Sequence, residues 1–145
     1  MNALKQIEQL QPQEIEKRSF EIIGEELAAR GITLPKDQEM ITKRVIHTSA
    51  DFEYTKTLMY SKDAVRIAQD LICEGADIVT DTNMALAGIN KKALATFGGE
   101  AHCFMADPEV ARIAKERGTT RATVSMEMAA RIDKPVIFAV GNAPT

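Results

Sequence analysis

Histidine and cysteine each occur only twice in this chain of 145 residues, and its aromatic residues amount to five Phe and two Tyr. Cys73 and Cys103 share no spacing with a zinc or redox motif, and both sit among apolar residues, so they read as buried, reduced thiols. His102 adjoins Cys103, but strand alternation would send the two side chains to opposite faces, so no metal site is expected there. The few aromatics are not interleaved with basic residues and the formal charge is −3, which argues against nucleic acid as a partner. Met1 to Pro12 has no apolar signal core, and no apolar run reaches membrane-spanning length. A soluble, cytoplasmic protein that does not engage membranes is the expectation.

What is present is ordinary globular usage, 45% hydrophobic and 27% charged, enough for one compact domain over residues 1–145 with its own core. From Gln13 to Arg30 the apolar positions Ile15, Ile22, Ile23 and Leu27 recur at helical spacing, and Gly31 follows as a stop. Ser19 falls within that stripe, so its hydroxyl is expected to point inward. A second helix is predicted after Pro35, capped by Asp37, carrying Met40, Ile41, Val45 and Ile46 toward the core and His47 near its end. A third is predicted from Ser61 to Glu74, ending at Gly75.

The second half changes rhythm. Ala76 to Thr80, Ala101 to Ala106 and Val136 to Val140 are short apolar runs separated by helical stretches. That alternation predicts an α/β fold, a doubly wound parallel sheet. Each strand leads into a polar helix start, clearest at Asp107-Pro108, and ligands of such sheets bind beyond the carboxyl ends of strands. Asp81, Met84, Gly141 and Asn142 are therefore candidate pocket residues. At Gly118-Thr119-Thr120-Arg121 a helix N-terminus beside an arginine suits a carboxylate or phosphate. A nucleotide is disfavoured, because no glycine-rich loop follows the first strand.

The chemistry concentrates in Lys43-Arg44-Val45-Ile46-His47-Thr48-Ser49-Ala50-Asp51. An imidazole can give or take a proton near neutral pH without metal or organic cofactor, which makes His47 the catalytic candidate. Helical geometry puts Lys43 and Arg44 one turn before it and Asp51 one turn beyond. Each residue also has a plain structural use: His47 on the surface, Ser19 bonded to its own backbone, Asp81 and Thr120 as caps, Lys43 and Arg44 on a solvated face, and Met84 as core filler.

Taken in order, Arg18-Ser19-Phe20, Arg44-Val45-Ile46-His47, Asp81-Thr82-Asn83-Met84 with Ala87-Gly88-Ile89, Asp107-Pro108, Thr120-Arg121 and Gly141-Asn142-Ala143-Pro144-Thr145 resemble the precorrin-8X methylmutase family of cobalamin biosynthesis. The resemblance covers nearly the whole chain. It implies a flavodoxin-like three-layer sheet, a homodimer, a corrinoid substrate, and migration of a methyl group from C-11 to C-12 of the macrocycle without a cofactor. The product is then hydrogenobyrinate or its cobalt counterpart. By the same resemblance His47 is the catalytic histidine, while Ser19, Thr120 and Arg121 line the pocket. The substrate's acetate and propionate groups give Arg18, Lys43, Arg44 and Arg121 a use as cationic grips. Members of the family continue past Gly-Asn-Ala-Pro-Thr through two more strands. The expectation is thus a domain cut short at its C-terminus, with Val136 to Val140 as an unpaired apolar edge. A non-catalytic corrinoid-binding or carrier module is the alternative to an isomerase.

Overall fold

The computed structural model describes residues 12–141, with side chains from residue 14 onward. The chain gathers into two compact units that divide between Val65 and Arg66.

In the first unit, α1 (Pro12–Ala29) and α2 (Glu39–Ser49) pair, followed by the short α3 (Tyr54–Thr57). Lys43 stands against Gly24 and His47 against Ser19, so the two helices run in opposite directions. Ile23, Leu27 and Ile46 form the buried centre, with Ile32, Leu34, Phe52 and Tyr54 packed around it. Thr42, also buried, shares a hydrogen bond of 3.1 Å with the Tyr60 hydroxyl.

Here the apolar pattern overstates what is inside. Ile15 and Ile22 are about half exposed, Met40 is 67% exposed, and Ile41 is exposed as well. Ile23, Leu27 and Ile46 suffice to fill a two-helix contact, and the flanking apolar positions are turned to solvent. Asp37 does not cap α2: the helix opens behind Gln38, whose side chain makes no capping bond. The helix closes at Ala50, which adopts φ 55° and donates its N–H to the Ile46 carbonyl. That left-handed turn ends the helical spacing, so Asp51 is not one turn beyond His47; it accepts the Glu53 amide at 2.8 Å instead.

The second unit begins within α4 (Ala64–Cys73), a helix that starts three residues later than the predicted Ser61. It continues through β1 (Asp77–Thr80), α5 (Asn83–Gly88), α6 (Lys91–Ala95), β2 (Ala101–His102), α7 (Pro108–Arg117), α8 (Arg121–Ala129) and β3 (Val136–Ala139). The three strands are parallel in the order β2-β1-β3, with β1 central. The parallel α/β reading holds, although β2 is far shorter than the apolar run Ala101 to Ala106. Cys73 is exposed and Cys103 half-buried, so the expectation of two buried thiols fails.

Cap chemistry sets the helix starts. Thr82, Asn90, Asp107 and Thr120 each accept a backbone N–H from the first turn of α5, α6, α7 and α8. Gly118, at φ 62°, closes α7 in the conformation an L side chain avoids. Val110, Ala114 and Val124 bury the α7–α8 contact, and Arg117 and Glu127 pair across it. Gly99 has a different reason to be glycine: a Cβ there would lie 2.3 Å from the Ala76 carbonyl oxygen. The outer edge of β3 has no strand partner among the described residues, and Phe138 on it is 48% exposed.

Candidate functional site

Helix α1 presents Glu16, Ser19 and Phe20 along one stripe, at the i, i+3, i+4 spacing that aligns side chains. Helix α2 presents Arg44 and His47 in the same way. The antiparallel packing brings the two stripes together. Ser19 Oγ and His47 Nδ1 are 2.7 Å apart, across 28 residues of sequence. Phe20 meets the imidazole at a ring separation of 5.9 Å and an interplanar angle of 72°. The Arg44 guanidinium lies 5.7 Å from the centre of the Phe20 ring and pairs with Glu16 at 2.7 Å.

The hydroxyl partner matters chemically. Ser19 can donate to a bare Nδ1 or accept from Nδ1–H, so one contact serves the neutral and the protonated ring alike. When the ring is protonated, Ser19 accepts from Nδ1–H and Nε2–H is an acid; when Ser19 accepts from the neutral ring, Nε2 is a base. His47 is itself exposed, so Nε2 is within reach of a molecule arriving from solvent.

The two neighbouring cations are already engaged. Lys43 pairs with Glu39 at 2.6 Å, and its side chain, only 19% exposed, lies over Gly24 rather than on a solvated face. Arg18 pairs with Glu21 at 3.4 Å. Between the helices lies an open cleft of about 540 Å³, lined by Glu16, Phe20, Gly24, Met40, Lys43 and Arg44 among others. Phe20 and Arg44 thus line the cleft, and Phe20 also meets His47.

The remaining candidates belong to the second unit. Asp81, just past β1, accepts the Gly141 amide at 2.7 Å and so ties the carboxyl ends of β1 and β3. Met84 is 86% exposed in the first turn of α5 and fills no core. Thr120 caps α8 and shares a 2.9 Å hydrogen bond with Thr123 Oγ1, while Arg121 opens the helix with its side chain exposed. Asn142 lies outside the described residues. Among the described residues no group of three or more His, Cys, Asp or Glu could hold a metal ion. None of their helices is long and apolar enough to cross a membrane.

A second polar cluster escaped the sequence reading. Asp77, buried at the start of β1, accepts the Glu100 amide at 2.8 Å and meets His102 Nε2 at 3.0 Å and Lys134 Nζ at 3.4 Å. Burial pushes its carboxyl up, yet the Glu100 amide, His102 and Lys134 together hold it below its ordinary 3.8. An Asp opening an apolar strand, 25 residues before a His, is the only signal the sequence offers for it. The cluster sits at the amino end of β1, opposite the strand ends where α/β ligands bind.

Comparison with known proteins gives a consistent picture. The family model described as precorrin-8X methylmutase matches residues 14–145. The cobalt-precorrin-8 methylmutase of Salmonella typhimurium is 44% identical over 142 residues, covering 93% of this chain and 66% of that protein. That of Priestia megaterium is 41% identical over 136 residues, covering 94% and 60%. The crystal structure of precorrin-8x methyl mutase from Thermus thermophilus superposes with a TM-score of 0.77 at 34% identity, over 91% of this chain and 63% of that one. The chain therefore spans between 60 and 66% of the length of these relatives.

Proposed function

Because the chain belongs to the precorrin-8X methylmutase family, we propose that it serves an isomerase that moves a methyl group from C-11 to C-12 of a corrin precursor. The observation that carries this reading is the exposed His47 held at Nδ1 by Ser19. Proton transfer between Nε2 and the conjugated macrocycle redistributes its double bonds and lowers the barrier to methyl migration. A positioned acid or base of this kind contributes about 10²–10⁴ in rate. No cofactor enters the scheme, since the imidazole and its hydroxyl partner supply the proton chemistry.

Two relatives carrying the highest identities quoted above are named cobalt-precorrin-8 methylmutases, which favours the cobalt-containing ring as substrate. Of Arg18, Lys43, Arg44 and Arg121, the cations the sequence offers to its carboxylates, the first three already pair with Glu21, Glu39 and Glu16. Arg121 is the best placed, opening α8 where the helix N-terminus adds its own attraction for an anion. Asp81, Met84, Thr120 and Asn142 are proposed as further substrate contacts, each within a motif that carries the family resemblance. Both units are read as parts of one family domain, since a single family model runs through them. A flavodoxin-like sheet, whose strand order likewise places β1 between β2 and β3, a homodimer and a cytoplasmic setting complete the proposal.

The test is spectroscopic. Cobalt-precorrin-8 and its cobalt-free counterpart are incubated with the protein and the visible spectrum is followed. A shift to the spectrum of the methyl-migrated product supports the proposal. An unchanged spectrum, even with a full-length relative's C-terminal part supplied, sinks it; tight binding of product without turnover would point to a carrier.

A further inference from the structure

We propose that Phe20, braced by the Glu16–Arg44 ion pair, is a positioning residue that fixes the plane of the His47 imidazole, and that Arg44 acts through Phe20 rather than as a grip on substrate. The inference rests on the proposed function for its catalytic consequence, though not for its geometry.

A single hydrogen bond to a rotatable hydroxyl tolerates a range of angles, so by itself it restrains an imidazole only loosely. The Ser19 contact alone therefore leaves the ring torsion, and with it the direction of Nε2, loosely set. The second constraint is supplied by Phe20, whose ring meets the imidazole nearly at right angles, one of the arrangements aromatic pairs prefer. Ser19 and Phe20 are adjacent on α1, so the two constraints share one rigid base.

Phe20 in turn has a second partner on α2. Arg44 approaches its ring within cation–π range, and the guanidinium is anchored by Glu16, one turn before Phe20 on the same helix. Arg44 itself stands one turn before His47. The four side chains thus close a loop from α1 to α2 and back. An arginine already paired with Glu16 and directed at an aromatic ring has little left to offer a carboxylate in the cleft.

The experiment uses the full 145-residue chain with ¹⁵N-labelled histidine. In the wild type, the Nδ1 and Nε2 shifts of His47 should show one dominant tautomer at high pH. Phe20→Leu should move both shifts toward averaged values, and Phe20→Tyr, which keeps the ring, should restore most of the difference. In turnover, Phe20→Leu should lower kcat about 3–10-fold with KM within about twofold, the size expected for one aromatic pair. Glu16→Gln, on an exposed helix position, should lower kcat by a smaller factor alone and add nothing in the Phe20→Leu background.

Unchanged ¹⁵N shifts in Phe20→Leu would overturn the proposal. So would additive effects of the two substitutions, or a rise in KM with kcat preserved in an Arg44→Gln variant, which would make Arg44 a substrate grip. A wild-type chain without turnover would tell against the proposed isomerase alone, and the tautomer comparison would still decide the bracket.

Discussion

Replacing His47 by alanine removes the only group in the Ser19–Phe20–Arg44 cluster able to exchange a proton near neutral pH, so turnover should fall by about 10²–10⁴ while the fold survives. Circular dichroism beside the spectral assay checks both halves. Ser19→Ala should be milder, lowering kcat about 3–10-fold with KM unchanged, because one hydrogen bond to Nδ1 is lost. If Ser19 instead contacts substrate, KM would rise. His47 and Ser19 were both legible in sequence, through the run around the histidine and the stripe position of the serine. Their contact was not, because it depends on how far α1 slides along α2, and no helical repeat encodes that register. Glu16 was invisible for the same reason, and Phe20, although part of the Arg18-Ser19-Phe20 motif, carried no sign of its contact with the imidazole until the opposite helix was in place.

At the scale of elements, chain punctuation decided most boundaries. Asp107, Thr120 and Gly118 were readable because their capping chemistry is local, and the structure uses all three as expected. Asp37 was equally suggestive and fails, since α2 opens at Glu39 without any side-chain cap. The short helices α3, α5 and α6 left no periodic signal, as four to six residues give too few turns to show a face. The edge strand β2 shortened to two residues because Phe104 turns away to pack against the α7–α8 core. Gly99 carries the sharpest test at this scale. Gly99→Ala would drive a methyl into the Ala76 carbonyl and Leu94, so it should destabilise the protein by about 2–3 kcal/mol, read as a lower urea midpoint.

For the molecule as a whole, the parallel α/β class was legible from alternating apolar runs and helices, whereas the polar knot beneath the sheet was not. Asp77 links the starts of β1 and β2 to Lys134, just ahead of β3. Its carboxyl is held below the ordinary value, so the sign follows: the anion stabilises the fold above that value, and the contribution fades as pH drops from about 4 through the lower folded one. Asp77→Asn should be less stable at pH 7 and should flatten this acid limb. Urea unfolding from pH 7 to pH 2 would show it, and an undiminished acid limb in the variant would refute the assignment.

Among the described residues, the side chains bracketing the imidazole come from the stretch between Glu16 and Arg44, and His47 closes it three residues later. Under the proposed function, the equipment for moving a proton is therefore encoded as one continuous piece of gene. On that reading, recombination can carry it intact while the sheet that follows changes.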